Sequence, residues 1–141
     1  MRARLAALAA AMLLAAAPAP RHSRYLFVWA MEVPHGRAFV ATFDVSPDGS
    51  SFGKLLAMQS VGKAATMVHH TNYALPPNDV LFANDWQADR TYMFDLANPL
   101  NPRVMGQFRD AGPYMYPHSF VYLSNGDTLA TFQYTRGFNR S

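Results

Sequence analysis

The chain contains no cysteine among its 141 residues. Disulfides, thiolate metal ligands and a cysteine nucleophile are excluded at once, and stability has to come from strand pairing and packing. Charge is also scarce, since Asp, Glu, Lys and Arg make up only 15% of the chain. No run of Lys and Arg is present that would track a phosphate backbone, so a nucleic-acid partner is not expected. The longest uninterrupted apolar run, Leu5 to Ala17, has 13 residues, short of the roughly 20 that a membrane-spanning helix needs. A Gly-rich phosphate loop, a Ser/His/Asp arrangement and a nucleophile elbow are all missing.

What is present begins with that apolar run. Arg2 and Arg4 precede it and Pro18-Ala19-Pro20 follows it, giving the charged, apolar and small-residue regions of a secretory signal. Residues 1–20 therefore read as a signal peptide forming a helix, with residues 21–141 as the mature domain. An Ala-rich first helix of that domain is the competing reading, but nothing later in the chain offers a helical partner. Removing Arg2 and Arg4 leaves 12 − 2 = 10 bases against 9 acids, so the basic character belongs largely to the leader. The expectation is a periplasmic or secreted protein with no membrane association after cleavage.

From Tyr25 onward the chain alternates short β-rich runs with turn residues. Nine strands are predicted, over 25–29, 38–45, 54–61, 69–75, 80–84, 91–96, 103–108, 119–123 and 128–132. The turns between them carry Gly, Pro, Asn or Asp where the backbone must reverse, and Asn125-Gly126 is a strong hairpin signal. The segment Met67 to Leu81 returns without a gap as Met115 to Leu129, matching Met67 with Met115, His70 with His118, Leu75 with Leu123, Asp79 with Asp127 and Leu81 with Leu129. The offset is 118 − 70 = 48 residues, and a period in this range built of strands and turns is the signature of propeller blades. A second echo, Phe43-Asp44 against Phe94-Asp95, lies 95 − 44 = 51 residues apart and marks a later strand of the same unit. The predicted fold is all-β: three strands of one blade, a full four-stranded blade and two strands of a third, or about two and a quarter blades. Because closed propellers need roughly four to eight blades, the chain is expected to be the amino-terminal part of a larger protein. A self-contained β-sandwich is the alternative.

Imidazole is the commonest metal ligand and suits copper, zinc or iron, which makes His69, His70 and His118 the first constellation to weigh. In a propeller these positions fall near the central channel, where blades converge. Neighbouring residues on a regular strand point to opposite faces, so His69 and His70 can share an ion only at a bulge or at a strand's start. Histidines that merely bond to backbone at blade ends remain the competing explanation. Met67 and Met115 precede the matched histidines by three residues and carry thioethers suited to Cu(I), although Met is more often core filler. Asp44 and Asp95 read as acceptors of turn amides rather than as a catalytic pair. Trp29, Trp86, Tyr114 and Tyr116 read as blade packing. His22 and His35 receive no role, and no catalytic residue is assigned.

These residues resemble the selenium-binding protein family. The resemblance covers about Tyr25 to Gln133 and rests on His69-His70 after a short strand, the strand Arg90-Thr-Tyr-Met-Phe-Asp-Leu96, the turn Asn98-Pro-Leu-Asn-Pro-Arg103, and Pro117-His-Ser119 leading into Leu123-Ser-Asn-Gly126. It implies a seven-bladed propeller. For the family's methanethiol oxidases it further implies a periplasmic, copper-dependent enzyme that converts a small-molecule thiol, methanethiol, with O2 and water to formaldehyde, hydrogen sulfide and hydrogen peroxide. By position His69, His70 and His118 correspond to the family's metal-site histidines. Two features depart from the pattern: without cysteine, attachment of selenium through a thiol is impossible, and a further ligand histidine is expected in blades beyond residue 141. A non-catalytic propeller binding module with structural histidines is the alternative function.

Overall fold

The computed structural model describes residues 24–34, 36–109 and 111–137. The signal-peptide expectation, His22 and His35 lie outside them. Nine strands follow one another: β1 (Tyr25–Met31), β2 (Arg37–Asp44), β3 (Leu55–Ala64), β4 (Val68–Thr71), β5 (Val80–Asp85), β6 (Arg90–Asp95), β7 (Arg103–Phe108), β8 (Tyr114–Tyr122) and β9 (Thr128–Thr135). They form three antiparallel sheets in sequence order, β1-β2-β3, β4-β5-β6-β7 and β8-β9. No helix occurs among the described residues. The division into three, four and two strands is the one predicted from the two echoes.

The second sheet lies between the other two, because its faces carry apolar side chains on both sides. Leu81, Ala83, Tyr92 and Phe94 share one face and meet Val40 of the first sheet, with Phe27 and Trp29 packed against them. Trp29 meets the edge of Phe94 at 5.7 Å between centroids, a geometry worth about 0.5–1.5 kcal/mol beyond the area buried. On the opposite face Phe82 stacks on Phe120 of the third sheet at 5.6 Å. No helix among the described residues is long and apolar enough to cross a membrane.

The repeat extends to local detail. Tyr25 pairs with Asp44 as Val80 pairs with Asp95, so both Phe-Asp echoes end a strand at the same register. Register shifts fall between Thr42 and Phe43 and again between Met93 and Phe94, which places a bulge at one position in both sheets. The Asn125-Gly126 turn closes β8 on β9, with Gly126 at φ 98. Glycine serves there because a side chain at that φ is strained.

Several strand limits differ from expectation, and two of the differences have a visible reason. The strand predicted over 69–75 leaves its ladder after Thr71, because the Oδ1 of Asn72 accepts the Phe82 amide at 2.8 Å in place of a main-chain carbonyl. The strand predicted over 119–123 begins instead at Tyr114, which pairs with Thr135. Pro117 lies within that longer strand at a register shift, where a missing N–H is tolerated.

Candidate metal centre

His69 and His70 stand side by side on β4, and a regular strand would send their rings to opposite faces. The pairing departs from regular: Val68 faces Asp85 and Thr71 faces Ala83, so three steps on β4 span two on β5. That extra residue is a β-bulge, and it brings the two rings to 4.1 Å between centroids, edge to face. On β8 Pro117 faces Phe132 and Phe120 faces Ala130, another three steps against two, and His118 lies inside the shift. Its ring lies 4.2 Å from His70 and 5.1 Å from His69. The three histidines offer ligand nitrogens that all lie within 4.8 Å of one another. His69 is exposed, while His70 and His118 are half-buried.

The electrostatics favour neutral rings. Burial pushes the His70 imidazole below its ordinary range, with the neighbouring His69 and His118 adding to the shift. Burial and then His69 lower His118 in the same way. An imidazole must be neutral to ligate a metal, so both groups are held in the competent form. The Nδ1 of His118 pairs with the Ser119 hydroxyl at 3.1 Å, which leaves Nε2 for a ligand role. Two nitrogens at about 2 Å from one ion stand roughly 3–4 Å apart, so the three rings need only small rotations to share a metal.

Acidic side chains around the cluster hold backbone. Asp85, fully buried, accepts the Thr66 amide at 3.0 Å, the Thr66 hydroxyl at 2.7 Å and the Met67 amide at 2.7 Å, which fixes the approach to β4. Asp89 accepts the Tyr116 amide. Tyr116 sits at φ 58, a left-handed conformation uncommon for an aromatic residue, directly before Pro117 and His118. Beside His69 the aromatic rings continue outward, with Trp86 at 6.0 Å from His69, Tyr116 at 5.7 Å from Trp86 and Tyr134 at 5.4 Å from Tyr116.

Asn84 is the residue that the sequence reading missed. Its side chain accepts the His70 amide on Oδ1 at 2.6 Å and donates from Nδ2 to the carbonyls of Pro117 and His118 at 2.7 and 3.3 Å. Its only advance signal was an asparagine inside the buried strand Val80-Leu-Phe-Ala-Asn-Asp85, where a polar side chain must find partners. Trp86, expected as ordinary packing, borders His69, while Tyr116 packs on Trp86 and Tyr134. Met67 is not core filler, being 40% exposed.

Asp44 and Asp95 are placed away from the cluster and do what a corner carboxylate does. Asp44 accepts the Ser46 amide at 2.8 Å and the Ser51 hydroxyl at 2.7 Å. Asp95 accepts the Ala97 amide at 3.0 Å and pairs with Arg103 at 2.6 Å.

Comparison with known proteins places this cluster in context. The chain is 29% identical over 106 residues to the methanethiol oxidase of Hyphomicrobium sp. It is a distant homologue of that enzyme. The match covers 71% of the present chain and 24% of the relative, so the chain spans about a quarter of the length of the curated relative it matches. The homology supports the assignment to the selenium-binding protein family, to which the motifs at His69-His70, Arg90–Leu96 and Pro117-His-Ser119 pointed. No family model matches the chain, and no solved structure matches it significantly.

Proposed function

We propose that the chain carries part of the copper centre of an oxidoreductase of the methanethiol oxidase type, with His69, His70 and His118 as ligands. The observation that supports this reading most directly is the convergence of three imidazoles from two sheets, each lying within a register shift of its own strand pair. A donor set of neutral nitrogens without carboxylate or thiolate suits copper better than Mg2+ or Ca2+. Copper, when bound, would supply the electron-transfer and O2 chemistry that no side chain of this protein provides. The protein's own part is to hold three ligand nitrogens in register and to border them with the ring of Trp86, on which Tyr116 packs. Those rings give an apolar surface suited to a small alkyl thiol such as methanethiol, the substrate class proposed. Formaldehyde, hydrogen sulfide and hydrogen peroxide would be the products.

The same reading makes the three sheets blades of a propeller, about two and a quarter of seven. It is supported by sequential antiparallel sheets stacked face to face, with the histidine strand first in the second and third sheets. Residues 1–20 act as a signal peptide and the protein works in the periplasm.

The test is copper titration of the purified chain and of His118→Ala. Stoichiometric, high-affinity binding that falls by at least tenfold in His118→Ala is expected, with the fold unchanged by circular dichroism. Equal copper affinity in the two folded proteins would return the histidines to a structural role and leave the binding-module reading.

A further inference from the structure

We infer that Asn84 is the positioning residue of the histidine cluster: a single side-chain amide sets the separation between the strand that carries His70 and the strand that carries His118. This rests on the reading of the cluster as a metal centre. The two histidine strands belong to different sheets, and no backbone ladder joins them. Asn84 supplies a join of its own. Oδ1 accepts the amide of His70 at 2.6 Å, and Nδ2 donates to the carbonyl of Pro117 at 2.7 Å and to that of His118 at 3.3 Å. The acceptor half of the amide is thus committed to one ligand's backbone and the donor half to the other's. No other side chain has this pair of functions in so short a span, since Asp offers acceptors alone and Ser is too short to bridge both strands.

Asn84 is wholly buried, so the arrangement does not depend on solvent. It also stands opposite the bulge on β4: Val68 faces Asp85 and Thr71 faces Ala83, which leaves His69 and His70 across from Asn84 alone. The amide therefore occupies the gap in the ladder that the bulge creates. Its own main chain is anchored from the other side, where Trp29 Nε1 donates to the Asn84 carbonyl at 2.9 Å.

The repeat separates this role from routine sheet construction. Val80 faces Asp95 as Tyr25 faces Asp44, so four residues further along Asn84 corresponds to Trp29 in the first sheet. The offset of 48 carries Asn84 to Phe132 in the third sheet (132 − 84). A polar clamp needed to build any such sheet would recur at these positions. The first sheet has only a donating half, the bond from Trp29 to the Asn84 carbonyl, and Phe132 has neither; among the described residues the two-sided clamp stands only in the sheet whose first strand carries two histidines.

The test uses the full chain with Cu(II) as the probe, comparing the unsubstituted protein, Asn84→Ser, Trp29→Phe and His118→Ala. Affinity is read by competition with a chelator, and the number of bound nitrogens by superhyperfine splitting in the EPR spectrum. Asn84→Ser should bind copper on the order of 10- to 100-fold more weakly and show fewer coupled nitrogens, with its strand content intact. Trp29→Phe removes a hydrogen bond to the same residue without touching the clamp, so it should lower the melting temperature and leave affinity and spectrum unchanged. A folded Asn84→Ser with the affinity and nitrogen pattern of the unsubstituted protein overturns the inference while the metal centre stands. Equal copper binding by His118→Ala and the unsubstituted chain overturns both. Should Asn84→Ser fail to fold, hydrogen exchange of the Asn84 side-chain amide in the unsubstituted protein decides: exchange slowed by Cu(I) supports the clamp, and exchange indifferent to Cu(I) overturns it.

Discussion

At the scale of single residues, the chain uses two kinds of ionisable group in opposite ways. His70 and His118 are held neutral by burial and by the neighbouring His69, with His118 adding to the effect on His70, whereas the Asp44 carboxyl is held ionised, down to about 2, by the Ser51 hydroxyl and the Ser46 amide. For the histidines, the unfolded chain takes up protons near the ordinary imidazole value of about 6.5 before the folded chain does, so their contribution to stability falls as pH drops below that value. The coordination of copper by His70 and His118 should accordingly persist as pH falls through 6.5 and weaken only further down, where these two rings themselves protonate; counting their bound nitrogens between pH 7.5 and pH 5 checks this. For Asp44 the sign is reversed. Its folded value lies below the ordinary 3.8, so its stabilisation is present above 3.8 and is lost as pH falls through about 2. Asp44→Asn should be less stable than the unsubstituted chain near pH 6, and the difference should vanish near pH 2, measured by urea unfolding across that range. Its copper affinity should not change.

Elements are where packing and the site meet, and Phe94 on β6 shows how. It is fully buried, packs on Trp29 of the first sheet and shares a face with Leu81 across β5. Phe94→Ala should cost about 3–5 kcal/mol, visible as a lower urea midpoint with little change in slope. The strands and their grouping were legible in the sequence because alternation, turn residues and the two echoes all report on backbone periodicity, which is local. His69, His70 and His118 were legible as candidates because the offset of 48 placed two of them in one register. The bulges were not, since a bulge is a property of two paired strands and leaves no mark on one; sequence could say only that His69 and His70 would need one. Asn84 was hidden for a related reason. Its partners, His70, Pro117 and His118, lie 14 to 34 residues away, and an asparagine in an apolar strand announces that it must be satisfied without saying by what. Met67 and Trp86 went the same way, because whether such a side chain faces a core or a cluster depends on which sheet comes next to it.

Across the whole molecule, the histidine cluster lies at a seam. His69 and His70 belong to the second sheet and His118 to the third, and the sheets are otherwise joined by side-chain contacts such as Phe82 on Phe120 and the bond from Trp86 Nε1 to Gln133 at 2.7 Å. A metal held by both sets of rings would therefore act as a cross-link between sheets that no backbone ladder connects. Anything that binds the folded state alone adds stability by mass action, about 2.7 kcal/mol at a free concentration 100 times the dissociation constant. For a domain near this size that corresponds to a rise in melting temperature of roughly 10 °C or more, less whatever affinity the unfolded histidines retain. The gain should also change cooperativity, because the third sheet, which contributes only β8 and β9, can then no longer open without breaking a metal–ligand bond. Hydrogen exchange at Val121 and Thr131 should slow on copper loading as much as exchange at Ala83 does. In His118→Ala the second sheet keeps His69 and His70 but loses its tie to β8, so copper should still protect Ala83 to some degree while leaving Val121 and Thr131 unprotected. Equal protection of both sheets by copper in His118→Ala would show that the seam is not bridged by that histidine.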